Sequence, residues 1–581
     1  MSHEFQRYQR LLMIYLRPQW RRVLCLLFFV CAGIALSLIN PQLLSSFIDA
    51  AIAGKPLSSL LLLAGFFLAV AFIKQVTVLI EAYVAENIAL STTNRLRADL
   101  MLHCLQLDSA FHTVHTPGEL IERVDGDVSS LSNFFSRFLV SLLGNLLLLL
   151  GVLLLLYVID WRIGLALSGF TLFSLIVFDR LRNIASTAWQ DERQASAELF
   201  GFLEERLAGT EDVRSSGATT YMHYGLAARS RQRLLKLRRA IQLNFASWGP
   251  ATVLTALGTA LALLLGSYLF LNKSISIGTV YLIFNYSLLL NTPIEQIVNQ
   301  IRDLQQTTGS INRIQQLFDT TSSLQDGEGA PLPPGALAVA FQDVTFGYVE
   351  DLPVLKQLQL LIPAGSILGL LGRTGSGKST LSKLLVRLYD PLQGSIQLGG
   401  VDLRSLKQDE LHARIGIVTQ DVHILHTTVR NNLTLFDPAI QDERILEVLE
   451  MLGLSSWYHS LPKGLETRLA PGGSGLSAGE AQLIAFARVF LKDPSLVILD
   501  EASSRLDPVT ERLLEQAIDR LLKDRTGIII AHRLATVQKA DHILILEQGA
   551  CKEYGERQAL AADPASHFAH LLQAGLMEVL A

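Results

Sequence analysis

Apolar runs long enough to cross a bilayer crowd the first 300 positions of this chain, and no soluble fold has room for them all. A helix needs about 20 largely apolar residues to span the hydrocarbon layer. Runs of that kind cover 23–48, 57–83, 138–159, 163–178 (continued by more helix), 248–271 and 277–296. Six spans return both termini to one side. The arginines Arg7, Arg10, Arg17, Arg21 and Arg22 place that side in the cytoplasm, because basic residues stay on the inner face. The loops at 49–56, 160–162 and 272–276 are then outside and short. The connections at 85–137 and 181–245 are inside, long and rich in helix formers. Spans two to five are therefore expected to continue as helices far beyond the membrane. Residues 1–22 are basic and amphipathic and suit an elbow helix lying in the interface. No small-residue cleavage site stands out, so a signal peptide is not expected.

Composition agrees, with half the chain apolar and only 18% charged. A net charge of −4 gives no electrostatic reason to expect a nucleic-acid partner. Cys25, Cys31, Cys104 and Cys551 form neither a CxxC pair nor a metal box, and read as packing residues. Lys74, Glu81 and Asp179 lie toward the cytoplasmic ends of spans two and four, where snorkelling or pairing in water explains them and transport chemistry is the alternative. Asn285, Asn291 and Pro293 are candidates for lining a cavity.

Residues 318–336, rich in Gly, Pro, Ser and acid without periodicity, read as a linker. Beyond them, short β-rich runs ("SILGLLG", "RIGIVTQ", "SLVILD", "TGIIIAH", "HILILEQG") alternate with helical stretches, the pattern of an α/β domain with a largely parallel sheet. "GRTGSGKST" follows the first of these and opens a helix, the context a P-loop requires. Gly372, Arg373, Thr374, Gly375, Ser376, Gly377, Lys378, Ser379 and Thr380 form it. Its glycines let backbone N–H groups wrap phosphates, and the helix start adds partial positive charge. Lys378 is expected to bridge the β- and γ-phosphates of ATP and Ser379 to bind Mg²⁺. Asp500 ends the strand "LVILD", where its carboxylate can hold the same ion. Glu501, next in the chain, is placed to polarise the attacking water as general base. His532 ends "GIIIAH" and is placed to reach the γ-phosphate.

Together these motifs resemble the ATP-binding-cassette (ABC) family, and the six-span half resembles its exporter type with domain-swapped helices, called type IV. The resemblance covers nearly the whole chain and implies an all-α transmembrane domain over 23–317 followed by an α/β P-loop NTPase domain over 337–581. It assigns Tyr348 of "VTFGY" to stacking on adenine and Gln420 of "GIVTQD" to linking Mg²⁺ with the membrane half. It makes "LSAGE" the signature, with Ser477, Ala478, Gly479 and Glu480 facing the partner's ATP, and "SRLD" (504–507) the D-loop. "TPGELIERVDGDV" (116–128) looks like the first cytoplasmic coupling region and "GTEDVRSSGA" (209–218) like the second. In this family each ATP lies between two cassettes, so one cassette with six spans implies half a transporter and a second half as partner.

Residues serving the chain's own nucleotide match the family. The departures face the partner: Ala478 and Glu480 in place of the LSGGQ wording, Pro471 where the exporter pattern has glutamate, and Arg505 where alanine is usual. Ser477 and Glu480 are spaced for a capping box, so the helix itself is expected to be sound. Relaxed signatures of this kind resemble those of heterodimeric exporters with one fast and one slow ATP site. A homodimer with a drifted signature stays open. The function implied is ATP-driven export of a drug, lipid or peptide-like solute across the plasma membrane, with lipid flipping or siderophore-type uptake as alternatives on the same fold. A membrane ATPase sensor is the rival from another class.

Overall fold

The computed structural model describes residues 13–137, 142–349, 352–500, 508–530 and 537–573. The chain divides into two compact units, one comprising 1–105 and 117–320, the other 106–116 and 321–581.

The first unit is helical. Its main helices are α1 (Trp20–Ile52) and α2 (Leu57–Gln106), followed after α3 (Ser109–Val114, of the second unit) by α4 (Gly144–Ile159), α5 (Trp161–Ala208), α6 (Thr219–Leu271) and α7 (Ile277–Asp319). Five described helices contain windows long and apolar enough to cross a membrane, and Gly144–Ile159 is a shorter apolar helix. It is the described end of the third expected span. The overhang expected of spans two to five is present in α2, α5 and α6, which run 50, 48 and 53 residues, and the helix of the sixth span, α7, also runs 43. At 1.5 Å per residue a 50-residue helix is ~75 Å long, over twice the hydrocarbon thickness. Ahead of α4 the helix does not run on unbroken. It is divided into Pro117–Ile121, a π-helical turn Glu122–Asp127 and Val128–Arg137. Asp127 is 5% exposed and takes a bidentate grip from Arg313 of α7, with Nε at 2.8 Å, so the wide turn is pinned by a charge pair.

The contacts of α1 with α2 fix an antiparallel register. Tyr15 donates to Asp99 (2.9 Å), Gln19 to Thr92 (3.1 Å), and Leu26 and Val30 pack with Ala85 and Ile88. Continuing it, Glu81 stands opposite Gly33, eleven residues beyond Arg22, or about 16 Å along the helix. Lys74 lies two turns further on. The side chain of Asp179 falls outside the described residues. Asn285 donates to the carbonyl of Tyr281 (3.2 Å), a local bond within α7.

At the far end of α1, Asp49 closes the start of α7. It accepts from the Gly278 amide (2.8 Å) and the Ser276 hydroxyl (2.5 Å). A Cβ on Gly278 would stand 2.3 Å from the Ser45 carbonyl and 2.6 Å from Asp49 Oδ2. Gly278→Ala is therefore expected to cost about 1–3 kcal/mol and to lower the thermal unfolding temperature of the detergent-purified protein.

The second unit carries two sheets. The larger has strand order β10-β9-β3-β8-β7-β6, parallel except for β10, from β3 (Ile367–Leu371), β6 (Ile415–Val418), β7 (Leu496–Asp500), β8 (Thr526–Ile530), β9 (His542–Glu547) and β10 (Ala550–Glu556). Its parallel strands read as unbroken apolar runs because both faces are covered. The smaller sheet, of β1 (Val339–Phe346), β2 (Leu355–Ile362), β4 (Gln393–Leu398) and β5 (Val401–Asp402) in order β2-β1-β4-β5, is antiparallel. The sequence reading anticipated the parallel sheet and missed this one.

Candidate active site

Four neighbouring parallel strands bring the expected residues to one edge. Leu370 pairs with Ile530, Ile530 with Asp500, and Leu499 with Val418, so the carboxyl ends of β3, β8, β7 and β6 stand level. The P-loop leaves the first, Asp500 closes the third, and Gln420 lies two residues past the last. In open α/β sheets, ligands bind beyond these strand ends. Glu501, the D-loop 504–507 and His532, two residues past Ile530, lie outside the described residues.

The P-loop is shaped by glycine. Gly372 has φ 150°, and a Cβ there would sit 2.4 Å from the Leu546 carbonyl. Gly377 has φ 104° and caps α8 (Lys378–Leu385). Lys378 is 7% exposed and its ammonium donates to the carbonyls of Gly372 (2.5 Å) and Arg373 (3.2 Å), holding it across the loop. The hydroxyl of Ser376 is buried without a hydrogen-bond partner among the described residues. An orphan donor inside a ring of amides at a helix start fits an anionic phosphate. Arg373, Thr374, Gly375 and Ser379 are exposed, Thr380 is buried, Gln420 is exposed and Asp500 half-buried. The oxygen donors Ser379, Gln420 and Asp500 are the set a hard divalent cation prefers. Tyr348 is 45% exposed, with its hydroxyl 3.2 Å from that of Thr380, which ties an open aromatic face to the first turn of α8.

The signature opens α9 (Ala478–Lys492) with the expected capping box. The Ser477 hydroxyl accepts from the Glu480 amide (3.2 Å), and Glu480 Oε2 receives the Ser477 amide (2.7 Å) and hydroxyl (2.9 Å). Ala478 is exposed and Glu480 half-buried. Gly479 is buried, and a Cβ there would meet Thr510 Cγ2 at 2.3 Å. Further along α9, Arg488 donates to the carbonyls of Asn432 (2.7 Å) and His423 (3.0 Å), and burial pulls its guanidinium below the ordinary arginine range. The sequence reading did not single out this tie between the signature helix and the segment just after Gln420.

The segment that joins the second unit is Gln106–Thr116, just before "TPGELIERVDGDV", and Pro117–Asp127 stays with the helical unit. The reason is Asp108. It caps α3 through the Phe111 amide (3.0 Å) and takes the amide and hydroxyl of Ser323, both at 2.7 Å. Burial raises its carboxyl, but the Ser323 and Phe111 donors outweigh that and hold it below the usual aspartate range. Residues 209–218 form a turn around the short helix Thr210–Ser215, largely exposed.

Comparison with known proteins agrees on the two kinds of domain and on the fold. Residues 23–294 match the model of the ABC transporter transmembrane region and 355–504 that of the ABC transporter domain. YknV, an ABC transporter ATP-binding protein of Bacillus subtilis (strain 168), is 30% identical over 95% of this chain and 92% of its own. The ATP-dependent lipid A-core flippase of Syntrophus aciditrophicus (strain SB) is 28% identical over 85% of this chain and 82% of its own. A solved bacterial Atm1-family ABC exporter with ATP bound superposes with a TM-score of 0.81 at 25% identity, covering 96% of this chain and 98% of that one. With a P-loop on the edge of a parallel sheet and long apolar helices ahead of it, this chain belongs to the ABC transporter family, as a type IV exporter half-transporter that hydrolyses ATP.

Proposed function

We propose that this chain is the half of a heterodimeric exporter that carries the complete set of hydrolytic residues and lends a weakened signature to its partner's nucleotide. The observation that supports this is the capping box at Ser477. The serine hydroxyl that the family turns toward the partner's phosphate here gives its proton to Glu480, and a carboxylate stands beside it. Two like charges ~4 Å apart repel by about 1 kcal/mol in water and about 4 kcal/mol near a protein surface.

At the chain's own site, Tyr348 stacks on adenine and Lys378 bridges the terminal phosphates. Ser379, Gln420 and Asp500 hold Mg²⁺, which supplies charge neutralisation at the phosphates when bound. Glu501 polarises the attacking water and His532 meets the γ-phosphate. Arg7, Arg10, Arg17, Arg21 and Arg22 support a topology with both termini and the ATPase unit on the cytoplasmic side of a bacterial plasma membrane. Segments 106–116 and 209–218 carry cassette closure to the long helices. The transported solute is a drug, lipid or apolar peptide, a choice that the relative named for lipid A-core flipping leaves open.

The test restores the ordinary signature. Ala478→Gly combined with Glu480→Gln, in the complex purified with its co-purifying subunit, is expected to tighten ATP binding at the partner's site by ~5-fold or more, equivalent to about 1 kcal/mol of relieved repulsion. Unchanged affinity at that site, or a full-rate dimer built from this chain alone, overturns the pairing.

A further inference from the structure

The adenine platform Tyr348 does not stand alone. Its ring is met edge-on by Phe346 (centroids 5.2 Å apart, planes at 82°) and by Tyr389 (5.3 Å, 87°), and Phe346 and Tyr389 also touch (5.5 Å). Such T-shaped contacts fix the orientation of a ring as well as its position. Lys383 Nζ lies 5.5 Å from the same ring, and the rest of Tyr348 is open.

Tyr389 sits on a rigid stalk. Arg387, 3% exposed and with φ 53°, bonds Asp390 (3.1 Å), the Leu406 carbonyl (3.3 Å) and the Gln325 carbonyl (2.8 Å), locking the turn that carries Tyr389. The Tyr389 hydroxyl lies 3.3 Å from Thr113 Oγ1 on α3. Thr113 already spends its one hydroxyl proton on the Ser109 carbonyl (2.8 Å). Tyr389 is therefore the donor and Thr113 the acceptor. The chain enters α3 straight from α2, which ends at Gln106, and Asp108 clamps α3 to Ser323 of the linker.

We propose that Tyr389 is a positioning residue that transmits displacement of α3 to the adenine-stacking ring, through its hydroxyl on Thr113 and its ring edge on Tyr348. The inference rests on the reading of Tyr348 as the adenine platform. Base binding in this chain then depends on where α3 is held, by a route separate from the phosphate cradle.

The experiment measures ATP hydrolysis and equilibrium binding of ATP and of inorganic tripolyphosphate, with the full chain in its purified complex. Tyr389→Ala is expected to raise the KM for ATP by about 2–10-fold, the range of one or two lost aromatic contacts, with kcat changed less than twofold and tripolyphosphate binding unchanged. Tyr389→Phe and Thr113→Val are each expected to raise KM by about twofold, and the double variant no further than either alone. Equal weakening toward ATP and tripolyphosphate, or no weakening of ATP, overturns the positioning role. Additive effects of Tyr389→Phe and Thr113→Val overturn the line from α3. Failure of the wild-type complex to prefer ATP over tripolyphosphate would instead remove the adenine-platform reading beneath it.

Discussion

The complex bearing Glu501→Gln is expected to bind ATP normally and to hydrolyse it at no more than about one-hundredth of the wild-type rate. A positioned general base contributes roughly 10²–10⁴-fold, and the amide cannot take the proton of the attacking water. The size of the loss follows from asymmetry. If this chain supplies the fast site, no second site of equal competence remains to mask the defect. The neighbour of Glu501 in the chain supports the assignment. Asp500, immediately before it, pairs in register with Ile530 of β8, so the chain leaves β7 beside the strand end that precedes His532. Phosphate release at saturating ATP, measured alongside nucleotide binding, is the check. Turnover near the wild-type rate with binding intact would mean that hydrolysis at the other site suffices, and the single-fast-site reading would be lost.

Lys378→Ala is expected to act one step earlier, on binding. The ammonium is 7% exposed and held at the mouth of the loop by two carbonyls. Hydrogen bonds to a charged group are worth about 1.5–3 kcal/mol each, so losing two to phosphate oxygens lowers ATP affinity by roughly 100-fold or more. The loss should be as large for tripolyphosphate as for ATP, because the lysine addresses phosphate and not base. That separates it from a variant at Tyr389. Calorimetric titration of both ligands decides it, and a Lys378→Ala complex with wild-type ATP affinity would remove the P-loop from the account.

Much of this was legible in the sequence because the signals are local. Apolar run length gave the spans, Gly372 and Gly377 with the preceding strand gave the phosphate cradle, and the spacing of Ser477 and Glu480 gave the cap. What was missed depends on distant segments meeting. The facing of Glu81 and Gly33 follows from the register of α2 against α1, anchored by bonds such as Gln19 to Thr92 that no window of sequence contains. The affiliation of α3 depends on Asp108 meeting Ser323, 215 positions away. Tyr389 reads in sequence as an unremarked aromatic after a helix, and only folding sets it against Tyr348 and Thr113. The antiparallel sheet escaped because β1 and β2 are interrupted by bulges that spoil their alternation.

The close quarters around Gly479 bear on how the signature can change. A methyl group at that position would overlap Thr510, so the fourth position of the motif has no latitude. Its neighbours do, since Ala478 faces outward and Glu480 folds back onto Ser477. Both departures from LSGGQ fall on these two permissive positions. The helix thus tolerates rewriting of its grip on a neighbour's phosphate without disturbing its own seat, and that makes loss of symmetry between paired subunits structurally inexpensive.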